Sequence, residues 1–168
     1  MIIKMARKLG PKTPPRLFGT FLSLWGPFRG AGIKITQVSA DYRHIHVILK
    51  KRWSTTNYVG TQFGGSIYAM TDPFFMLMLM QNLGPDYIVW DKGAIIDFIS
   101  PGRTELHADF KITDEILADI ASHTESGEKY IFDLPVEVLD TNNTLVATVS
   151  KKLYVRRKQV QTKTTQSQ

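Results

Sequence analysis

The sequence predicts an α+β fold: an antiparallel sheet of five to six strands curled around one long apolar helix. Three observations carry this. Between residues 65 and 83, Ile67, Tyr68, Met70 and an unbroken apolar run from Phe74 to Met80 cover nearly every angle of a helix, so it is buried all round. The remaining segments alternate apolar and polar residues with the period of two that a half-buried strand requires. The chain has 168 residues and 43% hydrophobic content, enough for one domain with a real core.

A basic lead opens the chain, and a helix is expected over 17–25. Ile33 and Ile35 then alternate with Lys34 and Thr36, and Ile45, Val47 and Leu49 oppose His44, His46 and Lys50, giving two strands. The polar, glycine-rich stretch 53–65 is a loop. The central helix follows, stopped by Gly84 and Pro85. A long strand bent at Gly93 comes next, then Leu106, Ala108, Phe110 and Ile112 on the inward face of another. Thr113 caps a short helix, with Asp114 and Glu115 favourable in its first turn. A last hairpin turns at Thr141-Asn142-Asn143, and Leu145, Ala147, Val149, Lys151, Leu153 and Val155 alternate along its second strand. Residues 1–158 are expected to form one domain with an N-terminal helical extension and a core of about 32–157, and 159–168 a frayed polar tail.

Charge is unevenly spread. Residues 1–34 carry +7, 35–150 carry −7 and 151–168 carry +6. Basic ends suit nucleic acid, acidic lipid, the phosphates of a nucleotide-bearing ligand, or water alone; no nucleic-acid-reading motif accompanies them. The absence of cysteine excludes disulfides and thiolate metal sites. The apolar stretch 17–28 is broken by Gly19 and Gly26 and is shorter than the ~20 residues a membrane span takes. A cytoplasmic protein without stable membrane insertion is expected, with that segment docked on the domain or resting on a membrane surface.

Asp72 and Pro73 stand out inside the apolar run. A buried carboxylate needs a partner or a job, and a proline in a helix interior removes a hydrogen bond. Asp72 lies seven residues after Gly65, almost two helical turns, so in an unbroken helix both face one side, ~10.5 Å apart along the axis. Gly64 and Gly65 permit close approach to the N–H groups of the helix start, a place to hold a carbonyl oxygen as charge develops on it. One carbonyl carbon cannot lie near both within one chain. If both serve one reaction, a second copy supplies Asp72, and a homodimer holds two shared sites.

Asn57, Gly60, Gly64, Gly65 and Asp72 stand at the spacing of a signature this stretch resembles, that of the hotdog-fold thioesterases of the phenylacetyl-CoA type. The segment 95–102, ending in Pro101-Gly102, is similar to the strand of that family that ends in Pro-Gly. The segments "FGGS", "TDP" and "VWDK" bring the chain nearer to a branch of the same fold labelled as a domain of unknown function (DUF4442). The resemblance implies a hotdog fold and hydrolysis of an acyl thioester, with coenzyme A as part of the substrate and no separate cofactor. It implies that Asp72 is nucleophile or general base, that Gly65 donates its N–H to the thioester carbonyl, and that Asn57 orients the site. Gly60, Thr61, Phe63, Gly64, Tyr68 and Lys92 are then the substrate-facing set. Arg156, Arg157 and Lys158 are candidates for the coenzyme A phosphates. The family's histidine is Phe63 here, which leaves the site one polar contact fewer.

Other readings stay open at this level. Asp72 also fits a structural role, bonded to Asn57 or a loop amide. The chain also fits a non-catalytic acyl-thioester binder, or a hotdog dehydratase or hydratase, which needs a histidine beside the carboxylate. The methionines of 70–80 suit either core or an acyl tunnel. His44 and His46 share a strand face with no acidic third ligand evident, so no metal site is expected. Asp91-Lys92 fits a strand-edge ion pair or a phosphate contact. A homodimer is expected; its pairing into tetramers is left open.

Overall fold

The computed structural model describes residues 14–159. The start of the basic lead and nearly all of the polar tail lie outside these residues. Helix α1 (Pro15–Leu24) begins with proline in its first turn, where a missing N–H costs nothing. A short α2 (Gly26–Ala31) follows and ends at Gly32, whose φ of 80° glycine adopts without strain. The expected docking of this segment is present. Gly19 faces Ile35 and Val38 closely enough that a Cβ there would lie 3.2 Å from Ile35. The backbone N–H of Ile35 also donates to Ser23 Oγ at 3.0 Å.

Strands β1 (Ile33–Val38) and β2 (His44–Leu49) lead through a 3-10 turn (Trp53–Thr55) to α3 (Gly64–Ala69) and α4 (Phe74–Leu83). Then come β3 (Tyr87–Phe98), β4 (Leu106–Lys111), α5 (Asp114–Thr124), β5 (Lys129–Asp140) and β6 (Leu145–Arg157). The strands form one six-stranded sheet in the order β1-β2-β4-β5-β6-β3, antiparallel throughout. β3 is therefore an edge strand. A bulge between Asp91 and Gly93 supplies the bend expected at that glycine.

The inward residues of every strand meet the central helix in one core. Phe74 lies between Phe28, at 5.7 Å between ring centroids, and Phe110, at 4.9 Å. Burial of each such ring stabilises the fold by roughly 1.5–3 kcal/mol. The ends of α5 and of the last hairpin follow their local chemistry. Thr113 accepts a hydrogen bond from the Ile116 N–H. Asp140 Oδ1 accepts from the N–H groups of Asn142 and Thr144, and Asn143 takes φ of 61° in the turn.

The central helix differs from the expectation in its continuity. It runs as two segments, α3 and α4, with residues 70–73 forming a turn between them. Pro73 offers no N–H to the preceding turn. The Thr71 hydroxyl donates to the Tyr68 carbonyl at 2.8 Å, occupying that end of α3. The Asp72–Pro73 peptide is cis. With α3 ending at Ala69 and α4 starting at Phe74, Asp72 sits at a break in the helix rather than inside it, and the two-turn spacing from Gly65 is not that of one continuous helix.

Candidate functional site

The loop ahead of α3 is built around Asn57. Its Oδ1 accepts from the N–H groups of Val59, at 3.1 Å, and Thr61, at 3.0 Å, while its amide donates to Thr61 Oγ1 at 2.9 Å. Gly60, with φ of 81°, makes the turn these bonds close. The buried Gln62 ties the loop to the sheet: its side chain donates to the carbonyls of Leu49 and Thr104, and its N–H to that of Gly102. These anchors fix where α3 begins. The Phe63 carbonyl takes the N–H groups of Ser66 and Ile67. The N–H groups of Gly64 and Gly65 come earlier, where a helix has no acceptor of its own.

Beside this helix start lies a cleft of about 320 Å³, with Asn57, Thr61, Gly64 and Ile67 on one wall and residues 98–102 on the other. A Cβ on Gly64 would lie 3.1 Å from the Phe98 ring, so a side chain there would press on the opposite wall and the ring would have to shift by a few tenths of an ångström. Phe63 is exposed and its ring lies over Gly65, filling the space a side chain there would take.

Asp72 does not line that cleft. Its Oδ1 lies 2.8 Å from Nζ of Lys151 on β6. Lys151 is 1% exposed, whereas the Asp72 side chain is 49% exposed, so a buried ammonium holds a carboxylate that still reaches solvent. On its other side Nζ is 3.6 Å from Asp91 Oδ1, an ion-pair distance too long for a hydrogen bond, and that oxygen is buried without a hydrogen-bond partner. Burial, with the Asp72 charge added, holds the Asp91 carboxyl above its ordinary value even though Lys151 pulls it down. The Tyr68 ring centroid is 5.9 Å from the same Nζ.

The structure therefore brings Asn57, Thr61 and Gly64 to one cleft and gathers Asp72 and Tyr68 with Lys151 elsewhere. The structural role imagined for Asp72, a bond to Asn57 or a loop amide, is replaced by the bond to Lys151. Lys92 is exposed at the bulge and forms no ion pair with Asp91. Arg156 lines a second cleft of about 250 Å³ with Lys129 and Tyr154, which Arg157 and Lys158 do not line; the Lys158 ammonium is spent on the Pro85 carbonyl. An acid does accompany His44 and His46. The β2–β4 register sets Asp109 opposite His46, and its Oδ1 lies 2.6 Å from His44 Nε2 and 3.0 Å from His46 Nδ1.

Lys151 and the role of Asp91 are the features that sequence reasoning missed. The signal was there: in the alternation from Leu145 to Val155, Lys151 alone is charged on the inward face, and a buried ammonium demands a carboxylate.

Solved structures share this architecture. A Pseudomonas aeruginosa protein of unknown function, PA5026, described as a probable thioesterase, is similar with a TM-score of 0.75 at 11% identity, over 86% of this chain and 97% of its own. The thioesterase HI1161 from Haemophilus influenzae gives 0.62 at 15% identity, over 89% and 95%. The E. coli PaaI protein from the phenylacetic acid degradation operon gives 0.57 at 14% identity, over 86% and 96%. Sheet, central helix and these likenesses define an α+β protein of the hotdog fold. The family model for the Domain of unknown function (DUF4442) matches residues 15–155, and the chain belongs to that family. No curated protein matches the sequence.

Proposed function

We propose that the protein hydrolyses acyl thioesters, with coenzyme A as the leaving half of the substrate, at two equivalent sites formed between the protomers of a homodimer. Asp72 is the general base. It takes a proton from water as the water oxygen bonds to the thioester carbon. The carbon–sulfur bond then breaks, its electron pair goes to sulfur, and the thiolate picks up a proton. The Gly65 N–H of the other protomer faces the carbonyl oxygen, and Asn57, Gly60, Thr61 and Gly64 shape the cleft that receives the acyl part.

The observation that carries this reading is Asp72 itself: a half-exposed carboxylate at a helix break, held by a buried lysine and standing apart from the cleft of its own chain. A second copy closes that gap, and the free edge of β3 offers a place for it. The fold likeness to proteins described as thioesterases agrees. A hydratase reading finds no support among the described residues. Within one chain His44 and His46 are taken up by Asp109, His107 lies tilted beside His46, and His123 stacks on Tyr130, so none of the four pairs with Asp72.

The test is turnover of an acyl-coenzyme A panel of varied chain length, followed by thiol release. Wild type is expected to be active. Asp72→Asn is expected to stay folded and dimeric while losing at least a hundredfold in kcat. Equal rates would remove Asp72 from the reaction. A second reading, an acyl-thioester binder without catalysis, is favoured by the Phe63 ring over Gly65. Calorimetric binding of an acyl-coenzyme A without thiol release from wild type would select it.

A further inference from the structure

Three charged groups meet at the helix break, and the pairing is uneven. The backbone of Lys151 is fixed in the interior of the sheet, opposite Ala94 on one side and Leu134 on the other. Its side chain leaves the inward face and ends between two carboxylates, at 2.8 Å from Asp72 and 3.6 Å from Asp91. Asp72 is half exposed and hydrogen-bonded, whereas the less exposed Asp91 has a buried oxygen with no hydrogen-bond partner. An orphaned buried acceptor is destabilising, and more so when charged. A purely structural ion pair would be expected to satisfy the more buried acid first. Here the ammonium is committed to the outer one.

We propose that Lys151 is a counter-ion shared by Asp72 and Asp91 and the positioning residue of the reaction. It holds Asp72 Oδ1 while that carboxylate is ionised and passes to Asp91 Oδ1 when Asp72 takes up a proton. With both acids ionised the trio carries one negative charge. Proton uptake by Asp72 brings it to neutrality, with the ammonium paired to the buried acid. The hydrogen bond that Asp72 gives up is regained at the oxygen that lacked one, so the step leaves no buried charge alone. The difference between 2.8 and 3.6 Å is within what rotation about the terminal bonds of a lysine covers. The Tyr68 ring beside Nζ, at 5.9 Å, offers its face to the ammonium. Asp91 thereby acts through Lys151 without touching the substrate. This rests on Asp72 being the base.

Two measurements test it, and the first does not depend on turnover. High-resolution crystal structures of wild type and Asp72→Asn are compared, the amide standing in for the protonated acid. Nζ is expected on Asp72 in wild type and within hydrogen-bond reach of Asp91 Oδ1 in the variant. An ammonium that stays beside the new amide, with Asp91 still unbonded, overturns the shift. The second measurement is kcat and KM for wild type and Asp91→Asn with hexanoyl-coenzyme A and phenylacetyl-coenzyme A. A fall in kcat of about tenfold or more with KM within twofold is expected, since misplacement of a base is felt in the chemical step. Unchanged kcat overturns the positioning role. Wild type inactive on the whole panel would remove the hydrolase reading, and the comparison of structures would then decide alone whether the lysine is shared.

Discussion

The ring of Phe63 occupies the space that a side chain on Gly65 would need. This contact sits at the helix start, where the proposed reaction requires a thioester carbonyl. Phe63 is exposed, so its ring can turn aside at little cost when something larger arrives.

Gly65→Ala is therefore expected to fold, with a loss of stability of about 1 kcal/mol or less, because the clash falls on the free end of a side chain and alanine suits a helix. Its turnover of acyl-coenzyme A is expected to drop at least tenfold, since the displaced ring and the new methyl crowd the N–H. Phe63→His, which swaps the ring for a smaller polar one, is expected to raise kcat/KM. Thermal melting and steady-state kinetics on both variants check this. An alanine variant as active as wild type would exclude Gly65 from the site.

Two carboxylates predict opposite responses to pH. Burial first, and then Asp72, hold Asp91 above its ordinary value of 3.8 against the pull of Lys151. The native state thus binds that proton more tightly than the unfolded chain, and stability is lost as pH rises from 3.8 through the raised value. Burial also pushes Asp109 up, but the hydrogen bonds and charges of His44 and His46 together outweigh it and leave its carboxyl below 3.8. Asp109 thus adds stability above 3.8 that is lost as pH falls through its lowered value. Relative to wild type, Asp91→Asn should gain stability on going from acid to neutral pH, and Asp109→Asn should lose it. Urea denaturation between pH 3 and 7 reads both slopes. Parallel curves for the three proteins would contradict both assignments.

The sequence carried most of the fold because period and punctuation are local. The alternation of Ile45, Val47 and Leu49, the Thr113 cap and the turn at Asn143 each have a short-range cause, and each stands where expected. The break at residues 70–73 was less legible. The apolar run continues through it, and the proline that interrupts the hydrogen bonding could equally have bent an unbroken helix. Of the site, the Asn57–Gly65 loop was visible because its spacing is contiguous. Lys151 and Asp72 are 79 residues apart and meet only once β6 is placed beside the helix. The Asp109 partner of His44 and His46 depends in the same way on strand register.

The last prediction concerns the edge of the sheet. β3 runs for twelve residues, and among the described residues no strand pairs with one side of its backbone. Trp90 is 61% exposed on it and Ile95 66%, and no lysine of the outward row shields them except Lys92 at the bulge. A long edge of this kind invites a second strand unless charge or a bulge blocks it. Antiparallel pairing of β3 with its copy would extend the sheet across two chains. Ile95→Glu puts like charges into such a seam, and repulsion there disfavours pairing. The wild type is expected to sediment as a dimer or a multiple of it, and the variant to shift toward monomer at micromolar concentration. Because each proposed site draws on both chains, turnover of the variant should fall with its dimer fraction and recover at high protein concentration. A wild type that sediments as a monomer yet turns over acyl-coenzyme A would show that one chain suffices, and the shared-site arrangement would have to be given up.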